Sequence, residues 1–144
     1  MSVEAFIDTN VLIYFFDGAA PEKQRRAREL LRSVRPVFSA QVLSEFYVVA
    51  TRKLASPLSE ADAAQSVEEW SRFRVMPITA ELVRQATATS QAAQLSYWDA
   101  LIVEAAAAAG CAEVLTEDLP DGAVLRGVRV RDPFADLRPA SRRR

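Results

Sequence analysis

Val3-Glu-Ala-Phe-Ile7-Asp8-Thr9-Asn10-Val-Leu-Ile13-Tyr-Phe-Phe16 is the stretch whose reading decides the fold. Val3–Ile7 is short and mostly apolar, as a buried strand must be. It ends at Asp8-Thr9-Asn10, three good helix caps in a row, and the apolar residues behind them predict a helix to about Phe16. Gly18 and Pro21 then break the chain, and Glu22 to about Ser33 makes a second helix. The same strand-to-helix grammar recurs downstream. Pro36–Phe38 is a short strand, and Ser39 caps a helix from Ala40 to about Leu54. Ser59 to Asp62 resembles a capping box and opens a helix to about Phe73. Arg74–Pro77 is a third strand, followed by a helix from Thr79 to about Ala93. Ser96-Tyr-Trp-Asp99 starts another helix, in which Ala100–Ala109 is apolar almost all round and therefore expected to be buried, with Gly110 as its stop. Glu113–Thr116 and Val128–Arg131 supply a fourth and a fifth strand, separated by the turn-rich segment 117–122.

Alternating strands and helices predict a three-layer α/β/α fold with a mainly parallel sheet of four or five strands. The 144 residues fit one domain, expected over residues 1–133, with residues 134–144 as a C-terminal tail. Half the residues are apolar, enough for a continuous core without a stabilising metal or disulfide. The apolar stretch at the N-terminus is broken by Asp8 and Asn10, so it reads as neither a signal peptide nor a membrane span. With a single cysteine, Cys111, this suggests a cytoplasmic protein in a reducing compartment.

The chain contains no histidine. That excludes imidazole bases, His-based triads and His-ligated zinc, and one cysteine excludes a thiolate metal site within one chain. Hydrolytic chemistry here must come from carboxylates, hydroxyls, Lys or Arg. The order of elements brings four acids to one edge. Asp8 and Asp118 sit just past the carboxyl ends of the first and fourth strands. Asp99 lies in the first turn of the helix that runs back before the fourth strand. Glu45 lies about five residues, roughly 7–8 Å, into the helix after the second strand. Parallel α/β sheets bind ligands at that edge. Carboxylates gathered together repel one another, and hard oxygen donors suit Mg2+, with Mn2+ as a substitute. Phosphodiester hydrolysis is the reaction class that best matches an all-carboxylate magnesium site.

The residues Phe6-Ile-Asp8-Thr-Asn10-Val-Leu-Ile-Tyr14, Ser39–Glu45, Leu95-Ser-Tyr-Trp-Asp99-Ala-Leu-Ile102 and Val114-Leu-Thr-Glu-Asp118-Leu also carry a resemblance. The chain resembles PIN domains over about residues 3–132, and more narrowly the VapC toxins of toxin–antitoxin pairs. That resemblance implies a magnesium-dependent endoribonuclease acting on tRNA or another structured RNA, restrained by a VapB-type antitoxin, and a homodimer. It maps Asp8, Glu45, Asp99 and Asp118 onto the family's acidic positions, with Glu45 reaching the metal directly or through water. Asn10 and Thr116 map onto supporting polar positions. The family often has Asn before its fourth acid, where this chain has Glu117. Glu117 and Asp118 therefore stand as alternatives, Asp118 being the better register match.

Other readings compete. The net charge of −1 and an isoelectric point near 5.6 are unlike a typical nucleic-acid binder. A receiver-like phosphoryl-acceptor domain would share the acidic pocket but needs a lysine after a late strand, and only Lys23 and Lys53 exist. A catalytically inactive RNA- or protein-binding module is a third class. Each acid alone has an ordinary use, as a cap, a turn residue or a solvated helix residue. Tyr97, Trp98, Phe15 and Phe16 read first as packing residues, although Phe15, Phe16 and Tyr47 would also suit a groove for a partner peptide. The basic run Lys23–Arg32 reads as a solvated helix face. Arg142–Arg144 offers attraction for RNA.

Overall fold

A computed structural model describes residues 3–139. Strand β1 (Glu4–Ile7) leads through Asp8 into α1 (Thr9–Phe16). Next come α2 (Pro21–Ser33), β2 (Arg35–Ser39), α3 (Ala40–Arg52), α4 (Glu60–Trp70), β3 (Arg74–Met76), α5 (Ala80–Ala93) and α6 (Tyr97–Ala108). The chain then forms β4 (Glu113–Leu115), β5 (Val124–Leu125), β6 (Val128–Arg131) and a 3-10 turn at Ala135–Leu137. The expected caps are in place. Ser39, Ser59, Thr79 and Ser96 each accept a hydrogen bond from a backbone N–H in the first turn of the helix that follows. Gly110, at φ +73°, ends α6 as a glycine can. Helix ends differ from the sequence expectation by two or three residues. α4 stops at Trp70, short of Phe73, and α3 stops at Arg52, short of Leu54.

The strand order is β3-β2-β1-β4-β6-β5, parallel except for the β5–β6 pair. Six strands replace the expected four or five. The extra one is β5, joined to β6 by the two-residue turn Arg126-Gly127, both at positive φ (53° and 77°). Such a turn matches the twist of a hairpin, and Gly127 was its one sequence signal.

From β1 the chain steps outward to β2 and β3, then returns to the other side of β1 as β4. Right-handed crossovers then put α1–α4 on one face of the sheet and α5–α6 on the other, giving three layers. The direction reverses between β1 and β4, so the switch point lies at their carboxyl ends. The core fills both faces. Phe6, Ile7, Val37 and Phe38 are buried on the sheet, and Phe46 of α3 meets Trp70 of α4 edge-on at 4.7 Å.

The chain does not leave the domain at residue 134. Phe134 is fully buried and lies edge-on to Tyr14 at 4.8 Å. Arg26 of α2 holds Asp136, and Arg138 pairs with Asp132 at 2.7 Å. The expected tail is therefore packed down to Arg138. The apolar bulk of Phe134, read from sequence as part of the tail, is what ties it. Arg142–Arg144 lies outside the described residues. Among the described residues no helix is long and apolar enough to cross a membrane.

Candidate active site

β1 and β4 pair in the register Phe6↔Val114 and Ile7↔Leu115, so the next residues out, Asp8 and Thr116, face each other past the strand ends. The Asp8 N–H closes this end by donating to the Leu115 carbonyl at 3.1 Å. The Asp8 carboxylate is a helix cap and more. Its Oδ1 accepts from the Thr9 N–H at 2.7 Å, and its Oδ2 accepts from the Thr116 hydroxyl at 2.8 Å. Asn10 follows two residues on, in the first turn of α1. Its Nδ2 donates to Thr116 Oγ1 at 3.0 Å and to Asp118 Oδ2 at 3.1 Å, with a longer contact of 3.4 Å to Asp8 Oδ2. Thr116 Oγ1 also accepts from the Asp118 N–H at 3.0 Å. Asp8, Asn10, Thr116 and Asp118 thus form one hydrogen-bonded unit across the switch point.

Glu45 and Asp99 approach this unit from opposite layers, Glu45 on α3 and Asp99 in the first turn of α6. Neither bonds to it directly, but both act on it through charge. Burial pushes the Asp8 carboxyl up to about 7. The bonds from Thr116 and Thr9 work against that, and the charges of Asp118 and Glu45 add to it. Asp118 is also raised, first by loss of water, then by the charges of Glu117, Asp99 and Asp132, while its bond from Asn10 lowers it. Gln41 ties the two flanking helices together. Its Nε2 donates to Glu45 Oε1 at 2.7 Å and to the Trp98 carbonyl at 3.3 Å. A cleft of about 330 Å³ opens on this edge, with Asn10, Glu45, Lys53 and Asp118 on its walls.

Glu117 faces elsewhere. It accepts from the Tyr14 hydroxyl and pairs with Lys23 at 3.1 Å and Arg138 at 3.3 Å. The side chain that bonds to Asn10 is that of Asp118, while Glu117 meets Asn10 only through its backbone N–H, which donates to Oδ1 at 3.4 Å. The Tyr14–Lys23–Glu117–Arg138 cluster braces the β4 loop, and sequence reading missed it. Its members lie far apart in the chain, and nothing local marks Lys23 as more than one charge on a basic helix. That helix is less solvated than expected, since Arg26 and Arg28 also bind backbone carbonyls, those of Pro133 and Phe15.

The donor set suits a hard divalent cation. Asp8 is buried to 6% exposure beside other carboxylates. Among the described residues no ion pair within 4.0 Å reaches Asp8, Glu45, Asp99 or Asp118. Among the described residues no three acidic side chains close on a single point. Magnesium does not require that, because it keeps several waters and binds through one or two carboxylates.

The chain matches the PIN domain family over residues 5–119, and it belongs to that family. This decides against the receiver-like alternative. No curated protein matches the chain by sequence. Among solved structures, a toxin–antitoxin complex from Klebsiella pneumoniae superposes with a TM-score of 0.70 at 24% identity, covering 90% of this chain and 98% of that one. The DNA-bound VapBC of Salmonella typhimurium superposes with a TM-score of 0.61 at 25% identity, covering 91% and 98%. VapC20 of Mycobacterium tuberculosis, a toxin that cleaves the sarcin–ricin loop, gives 0.60 at 21% identity, covering 76% and 86%.

Proposed function

We propose that this chain is a magnesium-dependent endoribonuclease that acts as the toxin of a toxin–antitoxin pair. The observation that carries the reading is the Asp8–Asn10–Thr116–Asp118 unit at the switch point, flanked by the charges of Glu45 and Asp99 and lacking any cationic side chain of its own. Membership of the PIN family and the toxin neighbours support it.

In this reading Asp8, Asp99 and Asp118 hold the metal, and Glu45 reaches it directly or through water. When bound, the metal polarises the phosphodiester and makes water a competent nucleophile at neutral pH. Asp8 is positioned for its part by Thr9 and Thr116, which fix both carboxylate oxygens. Asn10 holds Asp118 toward Asp8 and spaces the two charges. Gln41 holds the Glu45 carboxylate at the cleft wall. Lys53, on the wall of the cleft, attracts the RNA backbone toward an otherwise acidic edge. The substrate class is tRNA or another structured RNA.

A VapB-type antitoxin is the proposed partner, and the toxin is proposed to be a homodimer. A peptide of the antitoxin is proposed to enter the cleft of about 570 Å³ lined by Phe15, Arg28, Trp70 and Phe73. Of the three residues expected there, only Phe15 lines it. Phe16 packs into the aromatic cluster with Phe46 and Trp70, and Tyr47 donates to Glu60.

Purified protein incubated with total tRNA and structured RNA fragments tests the reading. Cleavage that requires magnesium or manganese, stops with excess chelator and is blocked by the co-expressed antitoxin is expected. Cleavage that persists in chelator, in a preparation free of other nucleases, overturns the metal mechanism. A neighbouring gene product that neither binds nor inhibits overturns the toxin assignment.

A further inference from the structure

Glu117 borders the cleft at the acid edge together with Glu45 and Asp118. It is the neighbour of Asp118 in the loop after β4, and it has the longer side chain of the two. Three donors turn it away. Its Oε1 accepts from the Tyr14 hydroxyl, and its Oε2 accepts from Lys23 Nζ at 3.1 Å and from Arg138 at 3.3 Å. Arg138 is shared, since it holds Asp132 more closely, at 2.7 Å. Lys23 is not shared, because among the described residues it pairs with no other acid. The lysine is itself built in. Its Nζ donates to the Tyr14 hydroxyl at 3.1 Å and lies 4.6 Å from the centre of the Tyr14 ring and 5.8 Å from that of Phe134. It also stands in the first turn of α2, an end that disfavours a cation. A cation kept there needs an opposing charge, and Glu117 supplies it.

We infer that Lys23 is a positioning residue for the metal site: it holds Glu117 out of the cleft, so that Asp118 is the acid of this loop that serves the metal. The inference rests on the metal-nuclease reading and names what decides between the two adjacent acids. The loop backbone is pinned as well. The Glu117 N–H donates to Asn10 Oδ1 at 3.4 Å and the Asp118 N–H to Thr116 Oγ1 at 3.0 Å, while the two side chains go to different partners, Lys23 and Asn10. Without Lys23, the Glu117 carboxylate is left with an uncharged phenol and a shared arginine. Its longer stem then turns back into the cleft it already borders, where a divalent cation attracts any hard oxygen donor. The added carboxylate strengthens metal binding but pulls the ion off Asp118. Loss of Lys23 therefore has a signature of its own: metal is held as well as before or better, and RNA is cut worse. Removing the charge of Glu117 as well reverses both effects.

The test pairs two readouts on the full chain: Mn2+ binding without RNA, from loss of the free-ion EPR signal, and RNA cleavage in magnesium. Wild type is compared with Lys23→Met, Lys23→Arg, Glu117→Gln and the double variant Lys23→Met/Glu117→Gln. Methionine keeps an apolar stem against Tyr14 and Phe134 and removes the charge. Lys23→Met is expected to cut about 30-fold more slowly, with a Kd for Mn2+ no higher than that of wild type. Adding Glu117→Gln should bring cleavage back to within a few-fold of wild type, and weaken Mn2+ binding about ten-fold relative to Lys23→Met. In the wild-type background Glu117→Gln should move the Kd by less than about three-fold, because the carboxylate is not a ligand there. Lys23→Arg, which keeps the charge, should recover most of the cleavage lost in Lys23→Met. Unchanged cleavage in Lys23→Met overturns the inference. So does a joint loss of cleavage and Mn2+ affinity that Glu117→Gln does not reverse, since Lys23 is then only a structural contact. If Lys23→Met does not fold, Lys23→Gln, which keeps hydrogen-bond donors without the charge, is judged by the same two readouts. The expected Mn2+ pattern in proteins that leave RNA uncut, wild type included, supports the positioning role and overturns the ribonuclease reading. Cleavage by wild type with equal Mn2+ affinity across the series overturns the positioning role and leaves the ribonuclease reading in place.

Discussion

Asp8 is where one residue's chemistry can be weighed most directly. Its carboxyl is lifted from 3.8 to about 7, chiefly by burial. The folded state then holds a proton that the unfolded state has lost between those two values. Stability therefore falls as pH rises through that window and levels off above about 7. The ceiling on the loss is about 4 kcal/mol, at about 1.4 kcal/mol for each pH unit. Asp8→Asn removes the charge but also costs a bond. Thr116 Oγ1 already accepts from Asn10 and from the Asp118 N–H, so it must donate to residue 8, and an amide nitrogen there cannot receive. Melts in chelator should therefore cross over. At pH 4 the variant is less stable than wild type by about 1 kcal/mol, and at pH 7.5 it is more stable by about 1–2 kcal/mol. A variant that is less stable at both pH values sinks the picture of an unrelieved buried charge. At residue 118 the contrast is in activity. Asp118→Asn should lower RNA cleavage by about 100-fold or more, while Glu117→Gln costs only a few-fold, through loosening of the loop. The reverse ranking in folded variants moves the site to Glu117. Sequence reading reached Asp8 and Asn10 because they stand in one short motif. It left residues 117 and 118 as alternatives because what separates them is Tyr14 and Lys23, 103 and 94 residues away.

Elements were legible where their signals are local. Ser39, Thr79 and Ser96 mark helix starts because a cap is a contact between neighbours in sequence. Ser96 accepts from the Asp99 N–H at 3.1 Å, so one cap both starts α6 and orients a proposed ligand. Ser96→Ala should cost about 1 kcal/mol in a urea melt and lower cleavage as the first turn frays. Intact activity with the full stability loss separates the cap from the site. Strand β5 was missed because two residues hold no periodicity, and the Arg126-Gly127 turn lacks the usual Asn or Asp. The same turn hides a second omission. α6 reads as apolar all round, yet Glu104 within it is 2% exposed. Thr89 of α5 donates to it at 2.7 Å and Arg126 at 3.0 Å, so the hairpin, α5 and α6 are joined through one buried carboxylate. Arg126→Ala should destabilise by about 1–2 kcal/mol, less than the loss of a wholly buried partner because the guanidinium side chain is 57% exposed. Adding Glu104→Gln should recover part of that loss, since Gln keeps a partner in Thr89. A double variant weaker than Arg126→Ala alone would show that the charge itself is wanted.

At the scale of the whole molecule, the sheet order explains why so few residues define the site. Reversal of the winding order between the parallel strands β1 and β4 places Asp8 and Asp118 together, and the layers on either side bring Glu45 and Asp99 to the same edge. A cation held there, as proposed, would link β1, β4 and both helical layers at once. Magnesium should therefore stabilise the fold as a unit, not loosen one loop. At about ten times its dissociation constant the stabilisation is about 1.4 kcal/mol, or about 4–5 °C in Tm for a chain of this length. Asp8→Asn should show less than a third of that rise, because it weakens binding to the folded state alone. Carboxylates are also relieved by any salt, so the comparison is made against sodium chloride of equal ionic strength, which screens without coordinating. Thermal scans of both proteins at pH 7.5, in chelator, in magnesium and in the sodium control, give the result. Equal rises in wild type and variant mean that magnesium acts as a screening ion or elsewhere on the surface. A rise confined to wild type and absent with sodium ties the cation to Asp8, independently of whether any RNA is cut.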